Sequence, residues 1–368
     1  MTSCRWISRL EKDIFFSHWI CLNQFFFELS PEQEMEHNAP HKNSVFEGYY
    51  SKFDLPSGAH VALIICQVKT AKERPYKVSF TYVPFDAHQY FQKQVWAERI
   101  DMVKFSEDNA FGLEVPGVGY ARWHADSTTE YSFDTPEFSF HGKTTTRTPW
   151  SSYTDTPESW LVNLPLPLHW HVQSLASKCE FDMNIPGYNL PQADRSGIAN
   201  VHQEKNWAQS FPSAHMWLQA RDGDRGFCCA GGQILGMEAF LLGYRSKDLN
   251  LDFRPPFATR LAGFSPFMSY TTDWENRSFE LSIQSFRQKI VVKAQAPKGT
   301  FFNLSAPFPE SHRENYLGQS FRATFDIEIF ESSWFGAWQL VRKDSFKNAS
   351  LEFGGGYYPP HGTEQRLN

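Results

Sequence analysis

Residues 202–208, HQEKNWA, hold a concentrated set of side chains that could carry acid–base chemistry. Side chains alternate between the two faces of a β-strand, so Glu204 and Asn206 would share one face while Lys205 and Trp207 share the other. A carboxyl group kept protonated by apolar burial can donate a proton, and a neighbouring amide can orient a phenol. A Glu beside a Lys is also a common solvated pair, and that interpretation stays open.

A second strand, after a Phe-Pro bend, carries the rest of this polar and aromatic set. His215, Trp217 and Gln219 alternate there with three apolar residues. If His215, Trp217 and Gln219 point into a barrel, they form a lining that could position a phenol and shelter a carbocation. If the apolar residues point inward instead, these three are exterior.

The segment LPLHWHVQS (166–174) supplies two further imidazoles. As a strand it places His169, His171 and Gln173 on one face and Trp170 on the other. A His-x-His pair can bind a metal, but two ligands do not close a site and no third ligand stands at a telling distance. We therefore predict no metal site and expect packed or catalytic imidazoles.

The composition excludes some classes of function. A formal charge of −6 and a pI near 6.1 give no basic field for nucleic acid. Aromatic residues make up 16% of the chain, which fits an all-β core and also the wall of an apolar binding site. Six scattered cysteines without CxxC spacing indicate reduced thiols in a cytoplasmic protein. Nucleotide, serine-nucleophile and metalloprotease motifs are missing, so no cofactor is predicted.

Short alternating runs separated by turn residues predict an all-β fold. SFELSIQSF (278–286) and RATFDIEIF (322–330) show a clear period of two. Helical periodicity is weak and confined to one candidate at 86–104. The glycines in GGGYYPP (354–360) lack the context of a phosphate loop and are expected to permit close backbone approach.

The chain is long enough for two β units. Turn residues are densest at 186–197, so we predict units over 45–197 and 198–360, preceded by an extension and linker (1–44) and followed by a tail (361–368). The apolar stretch 14–27 is too short and too polar to span a bilayer. It reads as an extension that could contact a membrane peripherally, or as a misassigned start.

Several segments, taken in order, resemble the tocopherol cyclase family. The block EKNWAQSFPSAHMWLQA is similar to the family's Glu-Lys-Asn-Trp, Phe-Pro and Trp-x-Gln pattern, and FEGYYSKFDLP is similar to its opening strand, with Tyr49 where the family has Trp. The remaining segments are weaker alone: LPLPLHWHVQSLAS (164–177), ENYLGQSFRATFDIEIFE (314–331) and LEFGGGYYP (351–359).

The resemblance implies two lipocalin-like, calycin-type antiparallel β-barrel or half-barrel units, similar in architecture to carotenoid 1,2-hydratases. It implies a cofactor-independent enzyme that protonates a prenyl alkene of a hydroquinone and closes a chromanol-type ring. From residue chemistry and motif position alone, Glu204 or Glu47 would be the acid, and His169 or His171 an acid or phenol base. The expected substrate-binding residues are Tyr49, Trp170, Asn206, Trp207, His215, Trp217 and Gln219.

Two other functions stay open at this point. Lipocalin-like barrels often bind without reacting, so a carrier of prenyl lipids is the first alternative. A hydratase or cyclase of secondary metabolism that handles another carbocation is the second. Tyr49 and the additional His171 argue against strict tocopherol specificity.

Overall fold

The computed structural model describes residues 37–86, 89–105, 110–234, 236–333 and 336–359. The expectations about the apolar stretch 14–27 and the tail therefore lie outside the described residues. Within the described ranges no helix is long and apolar enough to cross a membrane.

Eleven antiparallel strands form the first sheet, in the order β4-β3-β2-β1-β11-β10-β9-β8-β7-β6-β5. Their bounds are β1 Phe46–Asp54, β2 His60–Val68, β3 Tyr76–Val83, β4 Phe91–Ala97, β5 Asp101–Lys104, β6 Phe111–Val115, β7 Gly119–Trp123, β8 Thr129–Asp134, β9 Ser139–Thr144, β10 Leu168–Asn184 and β11 Ser196–Ala208.

The second sheet contains the other eleven strands, in the main order β15-β14-β13-β12-β22-β21-β19-β18-β17, with β16 paired to β14 and β20 paired to β21. Their bounds are β12 Ala214–Asp222, β13 Arg225–Ile234, β14 Met237–Arg245, β15 Asn250–Phe253, β16 Thr259–Leu261, β17 Met268–Asp273, β18 Ser278–Gln284, β19 Gln288–Gln295, β20 Phe302–Pro307, β21 His312–Glu331 and β22 Gln339–Gly355.

Helix is confined to two short pieces in the described ranges, a 3₁₀ turn at Ser159–Asn163 and an α-helical turn at Gln192–Arg195. The weak helix candidate at 86–104 is wrong, since β4 and β5 occupy most of it. Phe91 and Val95 are four residues apart, a spacing that suits both a helix and a strand. Ala97, two residues further, packs against the same core and shows that the period is two.

Each sheet curls around a core of its own. Buried residues of β1–β3 and β6–β11 form a single cluster in the first sheet, including Phe53, Phe80 and Phe140. The second sheet encloses a matching cluster that includes Phe279 and Phe325, from the two runs whose alternation predicted strands. The predicted all-β class with two curled units is confirmed.

The chain passes from the first sheet to the second between Ala208 and Ala214. This position is later than the predicted boundary at 197, because β11 pairs with β1 along its length from Phe46↔Ala208 to Asp54↔Asn200. The turn-dense stretch before β11 is a connection inside the first sheet.

Outward faces of the two sheets pack against each other. Lys52 donates from its Nζ to Gln219 Oε1 at 3.1 Å, and Lys77 Nζ donates to Ser305 Oγ at 2.8 Å. A buried apolar cluster that includes Ala62, Phe302, Leu304 and Phe321 joins the same faces. The seam between the sheets is therefore an interior of the protein, and it contains the candidate site.

Candidate functional site

A cavity of about 140 Å³ lies in the seam between the sheets. β1 and β11 supply one wall, with Tyr50, Glu204 and Asn206, while β12 supplies His215 and Trp217 from the other side. These side chains belong to outward faces of both sheets. The cavity therefore lies between the curled units and outside both of their cores.

Glu204 is held from both sides of the seam. Its Oε2 accepts hydrogen bonds from Nε2 of His202 at 2.8 Å and from Nε1 of Trp217 at 3.0 Å. No hydrogen bond among the described residues uses Oε1, so that oxygen is free to act on a guest in the cavity. The geometry fixes one carboxyl oxygen and leaves the other for chemistry.

A second carboxylate, Glu352 on β22, lines the same cavity. Its Oε1 accepts from Nε2 of His215 at 2.9 Å, and its Oε2 accepts from Nε2 of Gln319 at 3.0 Å. Both oxygens are therefore oriented by fixed donors. A carboxylate held in this way is suited to receive a proton from an attacking hydroxyl or water.

Tyr50 lies between the two carboxylates. Its hydroxyl donates to Gln319 Oε1 at 3.4 Å, and its ring meets Trp217 edge to face at a centroid distance of 5.2 Å. Burial, together with the charges of Glu352 and Glu204, raises the pKa of Tyr50 well above its ordinary value. The phenol therefore stays protonated and serves as a donor and as an aromatic wall.

Gly354 makes room for His215. A Cβ built on Gly354 would lie 1.9 Å from Cε1 of the His215 ring. Any other residue would displace the imidazole that orients Glu352. This contact agrees with the expectation that the glycine run permits close approach.

The alternation predicted for β12 is present, but the polar and aromatic face does not line the inside of a barrel. Met216 and Leu218 fill the core of the second sheet. His215 and Trp217 are on the exterior face, where the first sheet covers them and makes them part of the cavity. Gln219 lies on that face too, although it bonds Lys52 and does not line the cavity.

Glu47 lies on the face of β1 opposite to Tyr50. That face points into the interior of the first sheet, and Glu47 is completely buried there. Lys205 Nζ donates to its Oε1 at 2.5 Å, and the backbone N–H of His41 donates to the same carboxylate at 3.0 Å. Burial works to raise the pKa of Glu47, but the charge of Lys205 and the hydrogen bonds lower it overall. Glu47 is therefore a paired carboxylate away from the cavity, and the expectation that it supplies the acid is not supported by its position.

Tyr49 and Lys205 contribute to the cavity wall, but their polar ends bond inside the first sheet. Tyr49 donates from its hydroxyl to the carbonyl oxygen of Asn38 at 3.0 Å, and Lys205 Nζ donates to the carbonyl oxygen of Ala39 at 2.9 Å. Burial lowers the pKa of Lys205 to about 8, despite the neighbouring Glu47. These contacts fasten the segment before β1 to the first sheet.

The histidines of β10 also lie away from Glu204. His169 Nδ1 donates to Glu158 Oε2 at 2.8 Å, and its ring stacks on Trp207 at 4.9 Å. His171 is fully buried and pairs in register with Lys205, and burial with nearby positive charge holds its pKa well below the usual range. His169, His171 and Trp207 therefore belong to the interior of the first sheet, unlike the shared site expected for them.

Trp170 points the other way and lines the cavity, as Asn206 does. The indole packs edge to face on Trp150 at a centroid distance of 5.8 Å. Its Nε1–H is buried and has no hydrogen-bond partner among the described residues. A bound guest with an oxygen or an aromatic face could use this donor.

Three atoms beside the cavity have the spacing of metal ligands. His202, Glu204 and Cys228 each offer one atom, and these lie within 4.8 Å of one another. Burial, with the charge of Glu204, raises the pKa of the Cys228 thiol well above its ordinary value. In this arrangement Nε2 of His202 donates its proton to Glu204 and offers no lone pair to a metal, so the set is a hydrogen-bonded carboxyl as it stands.

A much larger apolar space adjoins the cavity. We call it the apolar cleft: about 920 Å³ between the outward face of β13 and β14 and the segment 158–168. The cavity and the cleft share Leu168, Trp170, Ala230, Gly231 and Ile234 as lining residues. The two spaces therefore meet at this wall.

Sequence reasoning missed Tyr50, His202, Gln319 and Glu352. The signals for them were present in part, since His202 is two residues from Glu204 on one strand and Glu352 precedes the glycine run. What brings Glu352 to Glu204 is the docking of one sheet on the other, which no local pattern encodes.

No protein-family model matches the chain, and no curated protein matches it in sequence. Solved structures share its fold. CghA superposes with a TM-score of 0.54 at 11% identity, covering 86% of this chain and 92% of that chain. Kievitone hydratase from Nectria haematococca gives a TM-score of 0.54 at 8% identity, covering 88% of this chain and 92% of that chain. The structure of CghA with Sch210972 gives 0.51 at 12% identity, covering 86% of this chain and 93% of that chain.

At this level of identity the likeness concerns the fold. The architecture of two curled β units that the resemblance to the tocopherol cyclase family implied is present. Membership of that family is not supported, because no family model matches the chain. The chain has the two-unit, lipocalin-like fold of CghA and kievitone hydratase.

Proposed function

We propose that this protein is a cofactor-independent hydratase or cyclase that protonates an alkene of a large, hydroxylated, mostly apolar substrate. The observation that carries the proposal is the position of Glu204, whose Oε2 is fixed by His202 and Trp217 while Oε1 is left to the cavity. The packing of two Phe-rich sheets does not require a nearly buried carboxyl group at this place.

The reaction follows from the groups present. The proton of the Glu204 carboxyl forms a C–H bond with one alkene carbon, the π bond breaks, and a carbocation remains. Trp217 and Tyr50 present aromatic rings that stabilise positive charge, and the enclosed seam limits unwanted water. An O–H group then forms the C–O bond, and Glu352 accepts its proton. One turnover leaves Glu204 ionised and Glu352 protonated, so Glu352 releases its proton to solvent and Glu204 takes one up before the next turnover. No oxidant or reductant is consumed.

The source of the attacking oxygen separates the two outcomes. A hydroxyl of the substrate gives ring closure, as in the formation of a chromanol from a prenylated hydroquinone. A water molecule gives hydration. The likeness to kievitone hydratase supports the wider class, and the prenylated hydroquinone is the narrower substrate that we propose within it.

A passive carrier of prenyl lipids is the alternative, and the apolar cleft favours it. Two nearly buried carboxylates with histidine partners argue for catalysis, because burying such groups is costly and adds nothing to the binding of a hydrocarbon.

Incubation with a panel of prenylated hydroquinones and prenylated phenols tests the proposal. Mass spectrometry distinguishes a cyclised product, which keeps the substrate mass, from a hydrated product, which gains one water. Recovery of tightly bound but unchanged ligand throughout the panel would support the carrier and contradict the enzyme.

A further inference from the structure

We propose that the apolar cleft is a subsite for an extended hydrocarbon arm of the substrate, whose hydroxylated ring occupies the cavity at Glu204. This inference rests on the proposed function for the identity of the ring, and it adds the chemical class of the rest of the molecule. A long alkyl or isoprenoid arm on a polar aromatic head is the class that fits both spaces.

The first argument is the chemistry of the cleft walls. Ala230, Ile234, Met237, Ala239 and Leu241 belong to the outward face of β13 and β14, which pair in register as Ala230↔Leu241 and Ile234↔Met237. An outward sheet face is usually polar, because water covers it. An apolar face beside an unfilled volume of about 920 Å³ is instead suited to bury a hydrocarbon.

The second argument is the position of the cleft. Leu168, Trp170 and Ala230 line both its inner end and the cavity, so the two spaces adjoin and an extended guest would fill them together. An arm that enters here passes the indole of Trp170 and places its ring-proximal carbons near Glu204. The site of protonation would therefore be the first double bond from the ring.

The third argument is the exposed rim of the cleft. Trp160, Leu261 and Phe264 line it and are 54%, 59% and 73% exposed. Leu261 and Phe264 bond each other's backbone across a tight turn, which holds both side chains at the mouth. Large apolar groups clustered at an opening indicate a surface that a guest covers.

The 3₁₀ turn at Ser159–Asn163 forms the opposite side of the cleft. Glu158, just before it, is buried and accepts the Trp170 backbone N–H at 2.6 Å, which anchors this side to the start of β10. The cleft therefore has one wall from each sheet unit, and its width depends on the same docking that forms the cavity.

The experiment measures binding without turnover. Alkylhydroquinones with saturated arms of increasing length, from methyl upward, are titrated into the full chain by calorimetry below their aggregation concentrations. Each buried methylene should tighten binding by about fourfold until the cleft is full. Ala239→Phe fills part of the cleft and should stop the gain at a shorter arm, with methylhydroquinone binding unchanged within about twofold.

Ala125→Phe, at an exposed position in the turn between β7 and β8 and outside the cleft lining, is the matched control and should keep the gain of the unmodified chain. Ile234→Trp is a second blocking variant at the junction, should Ala239→Phe fail to fold. Affinity that is independent of arm length in the unmodified chain would overturn the proposal. A gain that appears only after serine replaces Phe25, Phe26 and Phe27 would show that the chain's own apolar stretch fills the cleft, and would also overturn it.

The same series separates this inference from the proposed function. An arm-length gain without conversion of the alkene-bearing analogues would support the subsite and contradict the enzyme. Conversion of those analogues with affinity independent of arm length would support the enzyme and overturn the subsite.

Discussion

The indole Nε1 of Trp217, on the second sheet, donates a hydrogen bond of 3.0 Å to the carboxyl of Glu204, on the first. This bond crosses the seam between the two units. One of the two donors that orient the group we assign as the acid therefore comes from the other sheet, so the proposed chemistry depends on how the two units dock.

Replacing Glu204 by Gln should lower turnover by about a hundredfold to ten-thousandfold, because the amide cannot donate the proton while its oxygen can still accept from Trp217. Folding should be retained, as measured by far-UV circular dichroism and thermal unfolding. Glu180→Gln, at an exposed position of β10, is the matched control and should leave turnover unchanged. Turnover by the Glu204 variant within threefold of the unmodified enzyme would remove Glu204 from the acid role.

The buried pair of Glu47 and Lys205 should matter for stability and not for chemistry. Removing one partner, as in Glu47→Gln, leaves the other charge buried without compensation, and this costs about 3–5 kcal/mol of unfolding free energy. The double variant Glu47→Gln, Lys205→Met should recover part of that loss. Urea unfolding measures both. A stable Glu47→Gln variant that is inactive would instead return Glu47 to the list of candidate acids.

Gly354 and Gly356 offer a matched pair of substitutions. Gly354→Ala places a methyl group 1.9 Å from the ring of His215, so the imidazole must move and Oε1 of Glu352 loses its donor. Gly356→Ala places it 3.4 Å from Ala214 Cβ, which is an ordinary contact. We expect at least a tenfold loss of turnover for the first and little change for the second. Equal activity of the two variants would show that His215 has no part in catalysis.

His312 predicts a pH dependence of stability. Its Nδ1–H donates to the carbonyl oxygen of Arg74 at 3.1 Å, and burial with the charge of Lys77 lowers its pKa to about 3. The unfolded chain binds a proton near pH 6.5, whereas the folded chain does not, so stability is complete above pH 6.5 and falls towards pH 3.

Replacing His312 by Gln should remove this slope, which amounts to about 1.4 kcal/mol per pH unit within that window. Urea unfolding at pH 7, 6, 5 and 4 measures it, and the difference between the two proteins should change across the series. Parallel curves for variant and unmodified chain would show that His312 takes up a proton as easily when folded as when unfolded.

Much of the fold is readable from the sequence because strand alternation is local. The runs around Phe279 and Phe325 predicted strands whose alternate residues are buried, and the structure has them so. The failure at 86–104 has an equally local cause, since Phe91 and Val95 fit two periods at once. Local patterns define strands well and become ambiguous when few apolar positions are available.

The site was less readable, because alternation tells which side chains share a face but not what covers that face. Glu204 and Asn206 were placed together, and so were His215 and Trp217, and all four line one cavity. Glu47 was grouped with Glu204 from chemistry alone, although it lies on the opposite side of the first sheet. Only the docking of the sheets shows that an exterior face of each unit forms the cavity.

β11 has a consequence for how this protein can vary. Its odd-numbered side chains, such as Val201 and Lys205, lie in the interior of the first sheet, while Glu204 and Asn206 line the cavity in the seam. Deleting or inserting one residue in the middle of this strand would exchange the two sets. It would turn a carboxyl group such as that of Glu204 into the apolar interior and an ammonium group such as that of Lys205 towards the cavity. Substitution at the even-numbered positions can therefore change the cavity lining and leave the first sheet intact, whereas a change in the length of this strand cannot.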